Sequence, residues 1–537
     1  MSEAAALESL MLAFEGTALP GDVARRLATA PSAGITLFRF ANVASPGQVR
    51  ELTAAIASAS RRTPLIGADQ EGGQFLALGE GTTPFAGNMA LGAAGDPDLA
   101  ERVGHAIGLE CRALGVNVAY APVCDLAVNP HNPAIGIRSF GDDPAAVSEL
   151  VAATVRGLQG AGVAAGLKHF PGIGDVADDS HHGLPTLDRS PDELAARELV
   201  PFRAGIAAGA RVVMSAHLAL PGLTDDDTLP ATLSRRVMTG LLRDELGFDG
   251  VSITDALDMH ALDQGPNLVL DVLAALRAGV DLLMTAAVGD GRARIETGLA
   301  HAASRGLVHA DGAARSTSRI DALRAWLEGV PQPPLAVVGS AAHRDLADEL
   351  AARSITLVRD DDGLLPLRLA PGARLFAIQP RPTDQTPADT TSAVAPGLAA
   401  ALRERFGAVD EIVVDHVPSQ ADIAAVRHAA ANHDAVVVGT SAAFLGRLQE
   451  GGGRRSTSPR TRRRAATLRR TGSCRRRSGR LPPRSPAMPR SRAGCPPPSR
   501  DCIPLATASS AAARPLPSDE PRGGDRRATC RRRAPPG

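Results

Sequence analysis

Residues 164–185 read AAGLKHFPGIGDVADDSHHGLP. The first seven, AAGLKHF (164–170), are apolar until a lysine and a histidine near the end, and a Gly- and Asp-rich loop without helical period follows. An apolar run that does not alternate with polar residues suits a strand covered on both faces, as in a parallel sheet. Six other runs share this form: GITLFRF (34–40), PLIGADQ (64–70), NVAYAPVCDL (117–126), RVVMSAHL (211–218), GVSITDAL (250–257) and VDLLMTA (280–286). Segments between them, such as AAVSELVAATVRGLQGAG and SRRVMTGLLRDELG, have the spacing of amphipathic helices. Strand–helix repetition through residues 1–330 predicts an α/β fold, a (β/α)8-type TIM barrel, with a doubly wound open sheet as the rival arrangement.

Polar residues gather where these runs end. Asp69, Asp125, Lys168, His169, His217 and Asp255 all fall at the C-terminal ends of predicted strands. Single aspartates there are commonly helix caps, but six residues on five strands fit better at one barrel mouth, where such ends converge. Lys168 is the sole lysine of the chain; the other 57 of its 58 basic residues are arginine. A lysine kept against that bias points to a site that needs a compact ammonium and has no room for a guanidinium fork.

Outside the barrel the chain changes character twice. PQPPL (331–335) reads as a stiff linker, and ITLVRDD, ARLFAIQP, DEIVVDHV and HDAVVVGTS then suggest a smaller α/β sandwich domain over 331–450, ending abruptly and expected to be incomplete. Residues 451–537 hold 23 Arg, 14 Pro and 4 acidic residues, a net +19, which leaves −19 on the rest of a chain of zero net charge. Without an apolar pattern this tail is expected to be disordered, and its composition is what GC-rich DNA gives when read out of frame, with the shift placed near 446–452. Nucleic acid is not an expected partner, because a basic arm of this kind is the whole of the case for it. The N-terminus lacks the basic and apolar regions of a secretory signal, no run is long enough to predict a membrane span, and the cysteines form no disulfide or zinc pattern. A cytoplasmic location and no membrane partner are the expectations, and nothing in the sequence calls for a cofactor.

Two groups have the chemistry to act on a substrate. Asp255, at the end of GVSITDAL, is placed to offer a carboxylate to the mouth, whereas Asp258 is expected in the first turn of a helix, where a carboxylate favours the N-terminus. His181 is a candidate proton donor and acceptor, with Asp179 two residues earlier, near enough for a tight loop to bring its carboxylate to the imidazole and set its tautomer. Such a nucleophile and a separate acid/base are what a retaining glycosidase requires. His169, His181, His182 and Asp179 are also possible metal ligands, but no fixed-pitch spacing supports that reading, and no metal is expected.

KHFPG-x-G…DSH, DQEGG (69–73), NPAIGIRSFGDDP (132–144), MSAHL, PATLS and GVSITDAL occur in the order found in the β-N-acetylhexosaminidases of glycoside hydrolase family 3, which this sequence resembles from about residue 30 to 290. The resemblance implies a barrel followed by an α/β sandwich, with Asp255 as nucleophile and Asp179 with His181 as acid/base dyad. It places Asp69, Arg138, Lys168 and His169 on the sugar, with Asp125 and His217 counted among the substrate-binding residues. The implied substrate is a small carbohydrate with a terminal β-linked N-acetylglucosamine, from cell-wall or chitin fragments. Two motifs depart from the family pattern. Ile173 replaces the histidine of KHFPGHG, and DQEGGQFLAL places Gln74 and Ala77 where the family has arginines. Fewer polar contacts around the sugar are expected in consequence.

Overall fold

The computed structural model describes residues 6–440, apart from 30, 31, 181, 182, 263, 264, 266, 288, 290, 309, 385–388 and 416, together with 465 and 466. Its first strands are Leu10–Leu12 (β1), Gly34–Thr36 (β2), Leu65–Ala68 (β3), Gln70–Gly72 (β4), Phe75–Leu76 (β5), Val118–Ala119 (β6), Ala164–Phe170 (β7), Val212–Ser215 (β8), Val251–Thr254 (β9) and Leu283–Met284 (β10). Eight of them form one parallel sheet in the order β10-β1-β2-β3-β6-β7-β8-β9, while β4 and β5 make a separate hairpin. A bridge between Ile253 and Leu282, with Thr254 donating to the Leu282 carbonyl at 3.0 Å, joins β9 to β10 and closes the ring. Closure decides against the open sheet.

The predicted strand β7 has its expected bounds; most others are shorter, and the run at 117–126 contributes two residues. β1 was not among the predicted strands. Met11, Leu65, Val118, Tyr120, Met214, Ile253 and Met284 belong to a core cluster drawn from successive barrel strands. Ile320, Leu323 and Leu327 of helix Ala310–Leu327 belong to the same cluster. In that helix Arg324 donates to the carbonyls of Ser32 and Thr63, just before β2 and β3, so it seals the end opposite the mouth. Gly67 lies where a Cβ would come within 2.3 Å of the Tyr120 hydroxyl, which leaves room there only for glycine.

Helices pack outside the ring. Ser45, Asp96 and Asp143 cap three of them, each accepting from backbone N–H groups of the first turn and each followed by proline, which needs no partner there. Helix Pro97–Ala113 packs along helix Pro144–Gly160, and Leu99, Val103, Ile107, Val147, Val151 and Leu158 belong to the outer core.

Beyond the linker, Leu375–Pro380 (β11), Val409–Val414 (β12), Ala435–Val438 (β13) and Ala465–Ala466 (β14) form a second parallel sheet, ordered β12-β11-β13-β14, around Leu375, Ala377, Ala399, Val409, Ala435 and Val437. The pair at 465–466 departs from the expectation of a tail without secondary structure; the rest of 451–537 lies outside the described residues. The predicted strand ITLVRDD does not form. Ile355, Leu357 and Val358 are each more than half exposed, and an extended segment without a neighbouring strand has no ladder to join. Both sheets belong to one compact unit. Glu110 on the barrel side accepts from the Gly339 amide at 3.0 Å and meets the His343 Nδ1 at 2.7 Å, while Arg102 and Glu349 pair through two bonds.

Candidate active site

The sequence DQEGG builds one wall of the mouth. Asp69 directly follows β3, and the chain then folds back as the β4–β5 hairpin, where Gly72 and Gly73 take φ of +84° and +64°, a backbone region that favours glycine. The hairpin sets Glu71 facing two cations. Glu71 Oε1 lies 2.5 Å from Lys168 Nζ, and Arg138 grips both carboxylate oxygens, Nε to Oε2 at 3.0 Å and Nη2 to Oε1 at 2.7 Å. Lys168 also meets Asp69 at 2.5 Å. Phe75, on β5, stacks under the Arg138 guanidinium at 4.1 Å.

Adjacent residues of a regular strand face opposite sides. Lys168 and His169 nonetheless both reach this cluster, and the β7–β8 register shifts between Leu167 and Phe170. Arg138 Nη2 lies 3.3 Å from His169 Nε2, while His169 Nδ1 lies 2.7 Å from Asp125 Oδ2. Asp125 is buried, and accepts from the His169 amide at 3.1 Å and the Ile173 amide at 2.7 Å. The bond at position 173 is made by the backbone, so isoleucine serves it as well as histidine does.

The charges decide one another. Burial opposes the ionisation of Glu71, but Arg138 and Lys168 overcome it and hold the carboxyl down at about 2. Burial works to lower the pKa of Lys168, yet Asp69 and Glu71 more than offset it and raise it above the ordinary lysine value. The need for a compact ammonium follows from this geometry: two carboxylates already flank it, and the plane beside Glu71 is taken by Arg138. The Lys168 ammonium meets both Asp69 and Glu71.

On the other side of the mouth, Asp255 follows β9 and its amide donates to the Ser215 carbonyl at 3.1 Å; its Oδ1 accepts from the Ala256 amide at 2.8 Å. His217 is buried with Nδ1 2.9 Å from the Thr232 hydroxyl and Nε2 3.3 Å from the Ala256 carbonyl. A carbonyl only accepts, so Nε2 carries the proton. Burial lowers the pKa of His217, with Asp255 working against it, and keeps the imidazole neutral. His217 therefore braces the residue after Asp255 from beneath. Asp258 differs from expectation: it is exposed in a turn, and among the described residues the next helix begins at Leu268.

The loop after β7 is pinned at both ends. Asn132 donates to the Ile173 carbonyl at 2.6 Å, and the Leu187 amide donates to Ala219 at 3.0 Å. Asp179 and Ser180 are buried, and the Ala261 amide donates to the Ser180 carbonyl at 3.1 Å, joining this loop to the one that carries Asp255. His181 and His182 lie outside the described residues. Among the described residues, no group of three or more His, Cys, Asp or Glu side chains is arranged to hold a metal ion, and no helix is long and apolar enough to cross a membrane.

Glu71 is the site residue that reading the sequence passed over. It stands inside the quoted DQEGG, and its position two residues after Asp69, at the end of a predicted strand, is the available signal.

Residues 14–321 match the Glycosyl hydrolase family 3 N terminal domain. The chain belongs to glycoside hydrolase family 3. Its relatives narrow the company it keeps. It is 37% identical over 384 residues to beta-hexosaminidase A of Pseudoalteromonas piscicida, covering 66% of this chain and 63% of that one, so it spans less than two thirds of that relative's length. It is 41% identical over 281 residues to a beta-hexosaminidase of Stenotrophomonas maltophilia (strain K279a), 51% of this chain and 82% of that one. Among solved structures, a family 3 beta-N-acetylglucosaminidase from Paenibacillus sp. str. FPU-7 superposes with a TM-score of 0.77 at 34% identity, over 83% of this chain and 85% of that one.

Proposed function

We propose that this family 3 glycosidase is a β-hexosaminidase that removes terminal β-linked N-acetylglucosamine with retention of configuration. The observation that carries the reading is the union at one barrel mouth of the Lys168–Asp69–Glu71–Arg138–His169 cluster with Asp255, and the loop of Asp179 tied to the loop of Asp255 through Ser180 and Ala261.

In this mechanism Asp255 attacks the anomeric carbon and forms a glycosyl ester while His181, oriented by Asp179, gives a proton to the leaving oxygen. His181 then takes a proton from water, which releases the sugar and restores Asp255. Asp69, Arg138, Lys168 and His169 hold the sugar. Asp125 and His217 act one step back, the first fixing the His169 ring and the second the backbone after Asp255. The substrate class is a cell-wall or chitin fragment, and the place of action is the cytoplasm.

The test uses an aryl β-N-acetylglucosaminide. Asp255→Ala is expected to bring turnover to background, and His181→Ala to lower it by about 10² to 10⁴. Near-normal turnover in either variant refutes the assignment. Assaying with and without added phosphate separates hydrolysis from phosphorolysis, since a histidine acid/base repels phosphate less than a glutamate does. Free N-acetylglucosamine is the expected product under both conditions, and sugar 1-phosphate is the outcome against it.

A further inference from the structure

The hairpin that carries Glu71 and Phe75 is held from a distant part of the chain. Gln74, at the position where the family pattern has arginine, donates from Nε2 to Asp389 Oδ2 at 2.9 Å. The Thr390 amide and hydroxyl both donate to the Gln74 carbonyl at 2.8 Å, and the Thr390 Oγ1 accepts from the Leu76 amide at 3.1 Å. These bonds bracket Phe75, the residue between, as an added strand would. Asp389 and Thr390 are buried, and Asp389 Oδ1 also accepts from the Thr391 amide and hydroxyl, so the segment that reaches the hairpin is itself fixed. The chain of contacts then runs from Phe75 through its stack on Arg138 to Glu71 and His169.

We propose that the segment at Asp389 and Thr390, which lies between β11 and β12 in the second domain, is a built-in part of the sugar site. Both are positioning residues that fix the Gln74–Leu76 edge and through it the guanidinium of Arg138. Gln74 is then a functional exchange and more than a loss of charge: a neutral amide reaches a carboxylate of the second domain and leaves Arg138 as the cation that grips Glu71. The consequence for substrate is specific. In this proposal Arg138 is a ground-state binding contact, so loosening it weakens binding and leaves the chemical step nearly unchanged. The inference rests on the proposed function for its kinetic consequence but not for the clamp itself.

The experiment compares the full chain with Thr390→Val, Thr390→Ser and Asp389→Ala in two measurements. Hydrogen exchange at the Leu76 amide reads the clamp without substrate, and steady-state kinetics on an aryl β-N-acetylglucosaminide reads its effect on the site. Thr390→Val is expected to speed Leu76 exchange about tenfold and to raise KM roughly three- to tenfold, the worth of a neutral hydrogen bond, with kcat within about twofold. Thr390→Ser restores both, and Asp389→Ala follows Thr390→Val. Unchanged Leu76 exchange overturns the clamp. Faster exchange with unchanged KM, or a fall in kcat that tracks a general loss of stability, overturns its role in the site. A wild-type chain that turns nothing over counts against the proposed function and, with it, the role in the site, while the exchange measurement still decides the clamp.

Discussion

Glu71 Oε1 lies 2.5 Å from the ammonium of Lys168, with 1% of either side chain exposed. The same ammonium holds Asp69, and the same carboxylate holds Arg138. Two cations and two anions thus neutralise one another inside the barrel mouth, where an uncompensated charge is costly.

Replacing Lys168 tests the need for a compact charge. Lys168→Met leaves Asp69 unpaired and Glu71 with Arg138 alone, and is expected to destabilise the fold by about 3 kcal/mol, the low end for a broken buried pair because Arg138 remains. Lys168→Arg keeps the charge but brings a second guanidinium against the first. It is expected to lower kcat/KM on the order of a hundredfold, about 2.7 kcal/mol. Activity within threefold of wild type in Lys168→Arg contradicts this reading of the site.

The acid limb of stability is tied to Glu71. Its folded pKa is held at about 2 against an ordinary 4.5. A depressed carboxyl contributes stability that is fully present above the unfolded value and is lost as pH falls through the folded one, here between 4.5 and about 2. The contribution is about 3 kcal/mol at neutral pH. Denaturant unfolding of wild type and Glu71→Gln is expected to show a gap of that order above pH 5 that closes toward pH 2. A gap independent of pH removes the linkage.

His217 is expected to shape turnover without titrating. Burial keeps its imidazole neutral, and its Nε2–H reaches the carbonyl next to Asp255. His217→Phe removes that brace and is expected to cut kcat on the order of tenfold while the two limbs of the pH–rate profile stay in place. A lost or displaced limb in this variant makes His217 a titrating participant and revises its role.

Much of this architecture is written in local pattern. The runs ending in Asp69, His169, His217 and Asp255 are apolar on both faces because barrel strands are covered on both faces, and the polar residue at each end marks the mouth. β1 escaped notice because Leu10–Leu12 is three residues long in a leucine-rich stretch, ALESLMLAF, too short to set a period against the helical spacing around it. Conversely ITLV at 355–358 has strand composition and forms no strand, since pairing depends on a neighbour that the segment itself does not contain. The partnership of Glu71 with Lys168 and Arg138, like that of Gln74 with Asp389, joins parts of the chain far apart in sequence, and no spacing rule encodes it. The family motifs carry the residue types at the site, while the hydrogen bonds place Asp125 behind the His169 ring and His217 behind the backbone after Asp255.

In the proposed mechanism a carboxylate at position 255 attacks the sugar from the side opposite the departing group, and water then arrives where that group left. The most direct measurement is proton NMR of the sugar during the first minutes of turnover of an aryl β-N-acetylglucosaminide by the wild-type chain, before mutarotation sets in. Two displacements predict that β-N-acetylglucosamine appears first and the α form only later, at the spontaneous rate. The α form appearing first means a single displacement by water, and Asp255 is then not the nucleophile.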